Sequence, residues 1–276
     1  MRSTSPLCRP RGSSTRIVER LPQAMARLPS RHHVPGSNGW SRRTDSGRHR
    51  GFTHHTRAPV RPERFQRLRA VLRRRQPDLT VLMDRVHKPH NFSAIVRSCD
   101  AVGVLEAHVV PLSEGLSLHH GTSAGTKKWV SVIRHQDVRA AVGHLEEQGF
   151  TILAAHPSHD ASDYRAVDYT GPTAIVLGAE LHGVSEETLA LADGTISIPM
   201  CGMVHSLNVS VATALILFEA RRQREAAGLY DQSRLSEAEF RDRLFEWAYP
   251  TIARARRRSG RPYPPLTEKG EIVRED

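Results

Sequence analysis

Short apolar runs alternate with helical patterns from about residue 80 to residue 228, and this alternation restricts the fold more than any other feature. Thr80–Val86, Ala107–Pro111, Trp129–Arg134, Phe150–Ala155, Thr173–Leu177 and Thr195–Ile198 are too short for helices and read as strands. Helices are expected from Asn91 to about Val102, over Asp137–Gln148 before Gly149, from Ser185 to Ala192, and over Ser206–Ala227 before Gly228. Strand and helix in regular succession imply an α/β fold with a mostly parallel sheet flanked by helices. Helical extensions frame it. Phe65, Leu68, Val71 and Leu72 form an apolar stripe on a basic helix within 63–78 that ends at Gln76-Pro77-Asp78, and a last helix over Ser236–Arg257 is expected to pack through Phe240, Leu244 and Trp247. The division that follows is a basic helix at 63–78, an α/β domain at 79–228 and a helical extension at 229–276.

The formal charge of +11 suggests nucleic acid, but its location qualifies the suggestion. Residues 1–62 hold thirteen arginines, no lysine, and Glu19 and Asp45 as their acids, so they carry all of it and the remainder balances. That stretch is rich in Ser, Pro, Gly and His and lacks apolar periodicity, so it is expected to be disordered. It reads as a nucleic-acid-binding tail, as an Arg-rich transit peptide, or, with most weight, as a segment preceding the true start of translation. In the remainder the basic residues gather locally, at Arg64, Arg67, Arg69, Arg73, Arg74 and Arg75 and again at Arg254, Arg256, Arg257, Arg258 and Arg261. Such clusters attract a phosphate backbone, or are solvated helix faces. Cys8, Cys99 and Cys201 are odd in number and lack ligand spacing, and His119–His120 has no accompanying ligand set, so no metal is expected. No apolar run reaches the length of a membrane span, which points to a cytoplasmic protein.

Residues 198–212 are the richest in chemistry. A strand meets Pro199, a loop containing Gly202 follows, and Ser206 has the form of an N-cap for a helix whose next two turns are apolar on every side. Ser206, Asn208 and Ser210 at the start of such a helix either cap it or meet a ligand. Upstream, Asn91-Phe92-Ser93-Ala94-Ile95-Val96-Arg97 is followed by Val102-Gly103-Val104. Between them lies Ile175-Val176-Leu177-Gly178-Ala179-Glu180-Leu181-His182-Gly183-Val184-Ser185.

These three stretches, in this order, resemble the three motifs of the SpoU branch of the SPOUT RNA 2'-O-methyltransferases. The likeness covers about residues 63–276 and is strongest to the TrmH-type members, which act on the D-loop guanosine at position 18 of tRNA. It implies a C-terminal deep trefoil knot, which periodicity alone never suggests, a homodimer, and S-adenosylmethionine (AdoMet) as methyl donor. Carried over by position, the donor loops fall at Ala155–Pro157, Gly178–Gly183 and Ile198–Leu207, with Ala155, Gly178, Ile198, Gly202 and Leu207 as donor-binding residues. Gly178, Gly183 and Gly202 suit close backbone approach or positive φ. No G-x-G-x-x-G follows the first strand, which argues against a dinucleotide site.

The resemblance also implies that Asn91 positions the ribose and Arg97 accepts the 2'-hydroxyl proton, with Glu180, Ser206 and Asn208 in the active site. Read as residues alone, Asn91 is an N-cap, Arg97 a helix-surface cation and Glu180 a carboxylate ahead of a helix. Arginine stays protonated in proteins, so stabilising a developing alkoxide or gripping a phosphate suits Arg97 better than general base. His87, Lys88, His90, Arg67 and Arg74 are the expected RNA contacts, and tRNA the expected partner. Ser93 departs from a Gly common in the motif. The alternatives are a 23S rRNA ribose methyltransferase, or an inactive RNA-binding protein of the same fold.

Overall fold

A computed structural model describes residues 59–112 and 128–273, all within one unit, Thr56–Asp276. The expectations for residues 1–58, including Cys8, and for His119–His120 lie outside the described residues.

The chain runs α1 (Pro62–Arg73), β1 (Leu79–Asp84), α2 (Pro89–Val102), β2 (Glu106–Val110), β3 (Ser131–Arg134), α3 (Val138–Glu147), β4 (Thr151–Ala155), β5 (Ser162–Asp163), β6 (Thr173–Leu177), α4 (Glu186–Leu191), β7 (Gly194–Ser197), α5 (Val209–Ala226), α6 (Glu237–Ala248) and α7 (Pro250–Arg258). The strands form one sheet in the order β3-β2-β1-β6-β4-β7-β5, and every pairing is parallel. Every residue of central β1 and β6 is buried, as expected where helices cover both faces. One face carries Leu79, Val81, Met83, Ile175 and Leu177 beneath α2 and α5. The other carries Leu82, Ala174, Val176 and Ile152 beneath α3 and α4. α1 packs on α6 through Phe65, Leu68, Leu72, Leu244 and Trp247, which joins the two extensions.

Four expectations are corrected. The last helix is two: Tyr249 leaves helical geometry (φ −131°, ψ 59°) because Pro250 disfavours the α region in the residue before it. β5 pairs with β7 through backbone alone and carries no apolar signal. Val71 leaves the α1 stripe for solvent, and Arg75 leaves the basic cluster for the interior, where it binds Asp100 and the Val104 carbonyl (2.9 Å). The apolar run of α5 is not buried all round either, since Val211, Leu215 and Phe218 stay 40–48% exposed.

Three imidazoles meet between α3 and the sheet: His108 on β2, His135 just after β3 and His144 on α3. The His108 Nδ1 and His135 Nε2 share a hydrogen bond of 2.8 Å, and the His144 ring lies 5.6 and 5.3 Å from the other two. Burial, reinforced by the neighbouring rings, pushes His108 down to about 4, and His135 falls below its ordinary value for the same reasons. Unfolded, His108 takes its proton near pH 6.5. Between these values the unfolded chain binds more protons at this group, so its contribution to stability falls as pH drops from 6.5 towards 4 and levels off below. His108 alone should contribute a loss of about 3 kcal/mol over that window. Urea midpoints at pH 7 and pH 4.5 measure it, and His108→Leu should flatten the dependence.

Candidate active site

At the carboxyl ends of β1, β4, β6 and β7 the chain forms a cleft of about 570 Å³. Its walls are Ala155–Pro157, the 177–183 loop, Ile196–Ile198 and the segment 205–209. Gly178 permits the tightest approach. A Cβ there would lie 1.9 Å from the Gly183 carbonyl carbon and 2.0 Å from the Val184 nitrogen, because Ala179 and Gly183 exchange backbone hydrogen bonds across the loop (2.9 and 2.8 Å). Gly183 takes the left-handed φ of +69° that closes this turn. Gly178→Ala must therefore displace backbone. It is expected to abolish AdoMet binding in calorimetry, whereas Gly183→Ala, whose Cβ would meet only the His156 Nδ1 at 3.9 Å, should cost about 1–2 kcal/mol.

Beside the cleft, Glu180 reaches across to the start of α2. That helix has no side-chain cap of its own: its N-cap is Lys88 and Pro89 opens it. Glu180 supplies the cap, its Oε1 accepting from the Lys88 amide (3.1 Å) and the Asn91 Nδ2 (2.8 Å), its Oε2 from the His87 amide (3.4 Å). A carboxylate at a helix N-terminus is stabilised by the free N–H groups there. The His87 Nδ1 lies 2.8 Å from Oε2 on the outer side. Burial pushes the Glu180 pKa up, but the Asn91, Lys88 and His87 donors and a backbone bond to Glu180 outweigh it and hold the carboxyl below its ordinary value.

Asn91 is thereby oriented. It is 1% exposed, its Nδ2 given to Glu180 and its Oδ1 accepting from the Asn208 Nδ2 at 3.1 Å. A flipped amide would set donor against donor at Asn208, so the geometry admits one orientation. Asn208 in turn caps α5, its Oδ1 accepting from the Ser210 amide (2.9 Å) and hydroxyl (2.6 Å). Glu180, Asn91 and Asn208 thus form one chain of hydrogen bonds linking all three motifs. One proton on the Asn91 nitrogen and one lone pair on its oxygen are not used in these bonds.

Several expectations change here. The cap of α5 is Asn208, not Ser206, which is exposed in the loop and lines the cleft. Asn91 stands in the first turn of α2 rather than capping it. Ala155, Gly178, Ile198 and Leu207 line the cleft, whereas Gly202 does not: it has neither positive φ nor a close neighbour. Arg97 is exposed on α2, six residues or about 9 Å along the axis from Asn91, and makes no ion pair with another described residue. His87 also contacts Glu180, and Arg74 also pairs with Glu225 (3.3 Å) beneath the Tyr230 ring. His90 and Arg67 are exposed, and Lys88 lines the cleft.

Reasoning from sequence missed one residue. Asp84, at the end of β1, accepts from the Ser185 hydroxyl and the Thr188 hydroxyl (both 2.8 Å), anchoring the helix that follows the Gly178–Gly183 loop. Within the expected donor loop Ala155–Pro157, the sequence did not single out His156, whose Nδ1 is buried in the cleft wall without a partner among the described residues.

Residues 78–218 match the SpoU rRNA Methylase family, and residues 222–275 match the C-terminal SpoU rRNA methylase family. The chain belongs to the SpoU methylase family. A tRNA (guanosine(18)-2'-O)-methyltransferase of Escherichia coli K12 is 52% identical over 215 residues, which is 77% of this chain and 94% of that protein. Among solved structures, the Aquifex aeolicus TrmH/SpoU tRNA modifying enzyme aligns with a TM-score of 0.65 at 46% identity, over 69% of this chain and 97% of its own. The SpoU methyltransferase AviRb from Streptomyces viridochromogenes, solved in complex with AdoMet, aligns at 0.50 with 30% identity, over 55% and 62%.

AdoMet fits the cleft found here. The Gly178 loop offers bare backbone, the walls mix apolar side chains with main-chain polar groups, and the buried His156 Nδ1 is an orphan that a ligand would satisfy.

Proposed function

We propose that the chain methylates the 2'-hydroxyl of the D-loop guanosine at position 18 of tRNA. The observation that carries this is the Glu180–Asn91–Asn208 chain, which holds one amide with free donor and acceptor capacity beside a cleft suited to AdoMet. AdoMet, when bound, supplies an electrophilic methyl group on a sulfonium. Ala155, Gly178, Ile198, Leu207 and Ser206 hold the donor. Asn91 orients the ribose hydroxyl, and Glu180 and Asn208 keep Asn91 in place. Arg97 stabilises the oxygen as its proton passes to solvent water, or grips the adjacent phosphate. His90, Lys88 and Arg67 contact the RNA backbone.

The enzyme works as a homodimer. Support comes from Val211, Leu215 and Phe218, which expose large apolar groups on the helix that Asn208 caps. The trefoil knot is part of this reading. So is a cytoplasmic location: among the described residues no helix is long and apolar enough to cross a membrane.

The test is methyl transfer from labelled AdoMet to an unmodified tRNA transcript, with the product mapped by nuclease digestion and mass spectrometry. The expected product is a single 2'-O-methyl on the D-loop guanosine, absent with Arg97→Ala. Turnover by Arg97→Ala at the wild-type rate, with only RNA affinity weakened, would remove Arg97 from the chemistry.

A further inference from the structure

A second cleft lies beside Asp100, near the carboxyl end of α2. It measures about 1070 Å³ and opens between α1 and the junction of α6 with α7, floored by Leu68, Val71 and Ile252. Trp129 stands at its edge, half-exposed. The indole is held edge-to-face on Trp247 at 5.2 Å and 75°, and Trp247 is itself fixed beneath the buried Arg75 guanidinium at 5.2 Å. One aromatic ring, partly buried, is therefore held in place while it lines the cleft.

The charge around it is unspent. Arg61, Arg64, Arg67 and Lys128 line the cleft, and none forms an ion pair with another described residue. Of the two acids on the rim, Asp100 is bound by Arg75 and Glu63 is exposed. On the other side of Trp129 the situation reverses: Arg243 is bound to Glu106 and Arg257 to Glu246. Among the described residues, Arg61, Arg64 and Arg67 thus gather without ion pairs on the α1 side of the indole, and Lys128 lines both sides.

A rigid aromatic face beside unpaired cations suits single-stranded nucleic acid, whose bases stack and whose phosphates need neutralising. A duplex keeps its base faces covered, so the complementary ligand is an unstacked nucleotide with its neighbours. Position supports this. α2 runs from Asn91 at the carboxyl ends of the strands to Asp100 beside this cleft, about 14 Å along its axis. That is about four stacked nucleotides at 3.4 Å each, with the exposed Arg97 between.

We propose that this cleft is a second RNA contact, in which Trp129 stacks an unpaired base of the substrate while Arg61, Arg64, Arg67 and Lys128 hold the flanking phosphates. It rests on the RNA-methylating function proposed above.

The experiment is equilibrium binding of an unmodified tRNA transcript to the full chain across a salt series, with methyl transfer measured in parallel. Trp129→Ala should weaken binding roughly 5- to 150-fold, and Trp129→Phe should restore most of it. The paired change Arg64→Ala and Arg67→Ala lies on the surface and cannot unfold the core. It should reduce the slope of log K against log salt by about 1–2, with AdoMet affinity and melting temperature unchanged. Wild-type affinity and salt slope in Trp129→Ala and in the arginine pair, with the wild-type chain methylating the same tRNA, would overturn the proposal. A wild-type chain that neither binds nor methylates tRNA would instead overturn the function on which it rests.

Discussion

Asn91→Ala is expected to lower kcat for methyl transfer by about a hundredfold or more while leaving AdoMet affinity within a few-fold of wild type. The separation follows from position. Asn91 lies beside the donor cleft and is not part of its wall, yet it is the buried amide that Glu180 and Asn208 hold in a single orientation. Its loss removes the group that aims the acceptor hydroxyl, and a misplacement of about 1 Å is enough for an effect of this size. Glu180→Gln should act in the same direction, because one side of the new amide sets N–H donors against those of Asn91, Lys88 or His87. Single-turnover kinetics with saturating AdoMet, beside calorimetric donor binding, separates the two quantities. Normal turnover by Asn91→Ala would show that Asn91 serves only to join α2 to α5.

Arg224→Met is expected to cost about 3–5 kcal/mol of stability, the range for removing one partner of a buried charge network. Arg224 is fully buried near the end of α5. It donates to the carbonyls of Tyr169 (2.7 Å), Asp78 (3.0 Å) and Gly171 (2.6 Å), to the Gln76 Oε1 (3.1 Å) and to the Asp78 carboxylate (2.7 Å). These acceptors lie at the entrances to β1 and β6, so one guanidinium fastens α5 to the two central strands. Arg234 also reaches Asp78 (2.5 Å) and would keep that charge paired, and the Thr173 amide and hydroxyl still serve the Asp78 and Gly171 carbonyls (both 3.0 Å), but the Tyr169 carbonyl and the Gln76 Oε1 have no second donor among the contacts described. The urea midpoint of the full chain measures the effect. A loss below about 1 kcal/mol would mean that water replaces the guanidinium.

The sheet, its flanking helices and most element limits were legible because they depend on local patterning. Buried strands such as Leu79–Asp84 and Thr173–Leu177 are nearly continuous apolar runs, and Gly103 ends α2 in a left-handed conformation (φ 89°) where a Cβ would strike the Arg74 carbonyl. What failed was where local rules gave two answers. Ser206 and Asn208 are both acceptable caps, and the choice fell to Asn208 because its Nδ2 also meets Asn91, a residue 117 positions away. Arg74 and Arg75 are adjacent in one basic run, yet one lies on the surface and the other inside, and only the packing of α1 against Asp100 and Trp247 separates them.

The active site divides in the same way. Gly178, Gly183, Asn91, Glu180 and Asn208 could be named from their motifs because each requirement is local: a bare backbone, a positive φ, an amide or a carboxylate near a helix start. The sequence by itself determined the class of fold, the family likeness and which residue types converge. Tertiary structure alone decided that Glu180 caps a helix begun ninety residues earlier, that His87 braces Glu180, and that Trp129 stands beside arginines with no ion pair to another described residue. Hydrogen bonds and ion pairs between distant segments depend on distances of a few tenths of an ångström, and those are set by how helices pack on the sheet, which no local pattern records.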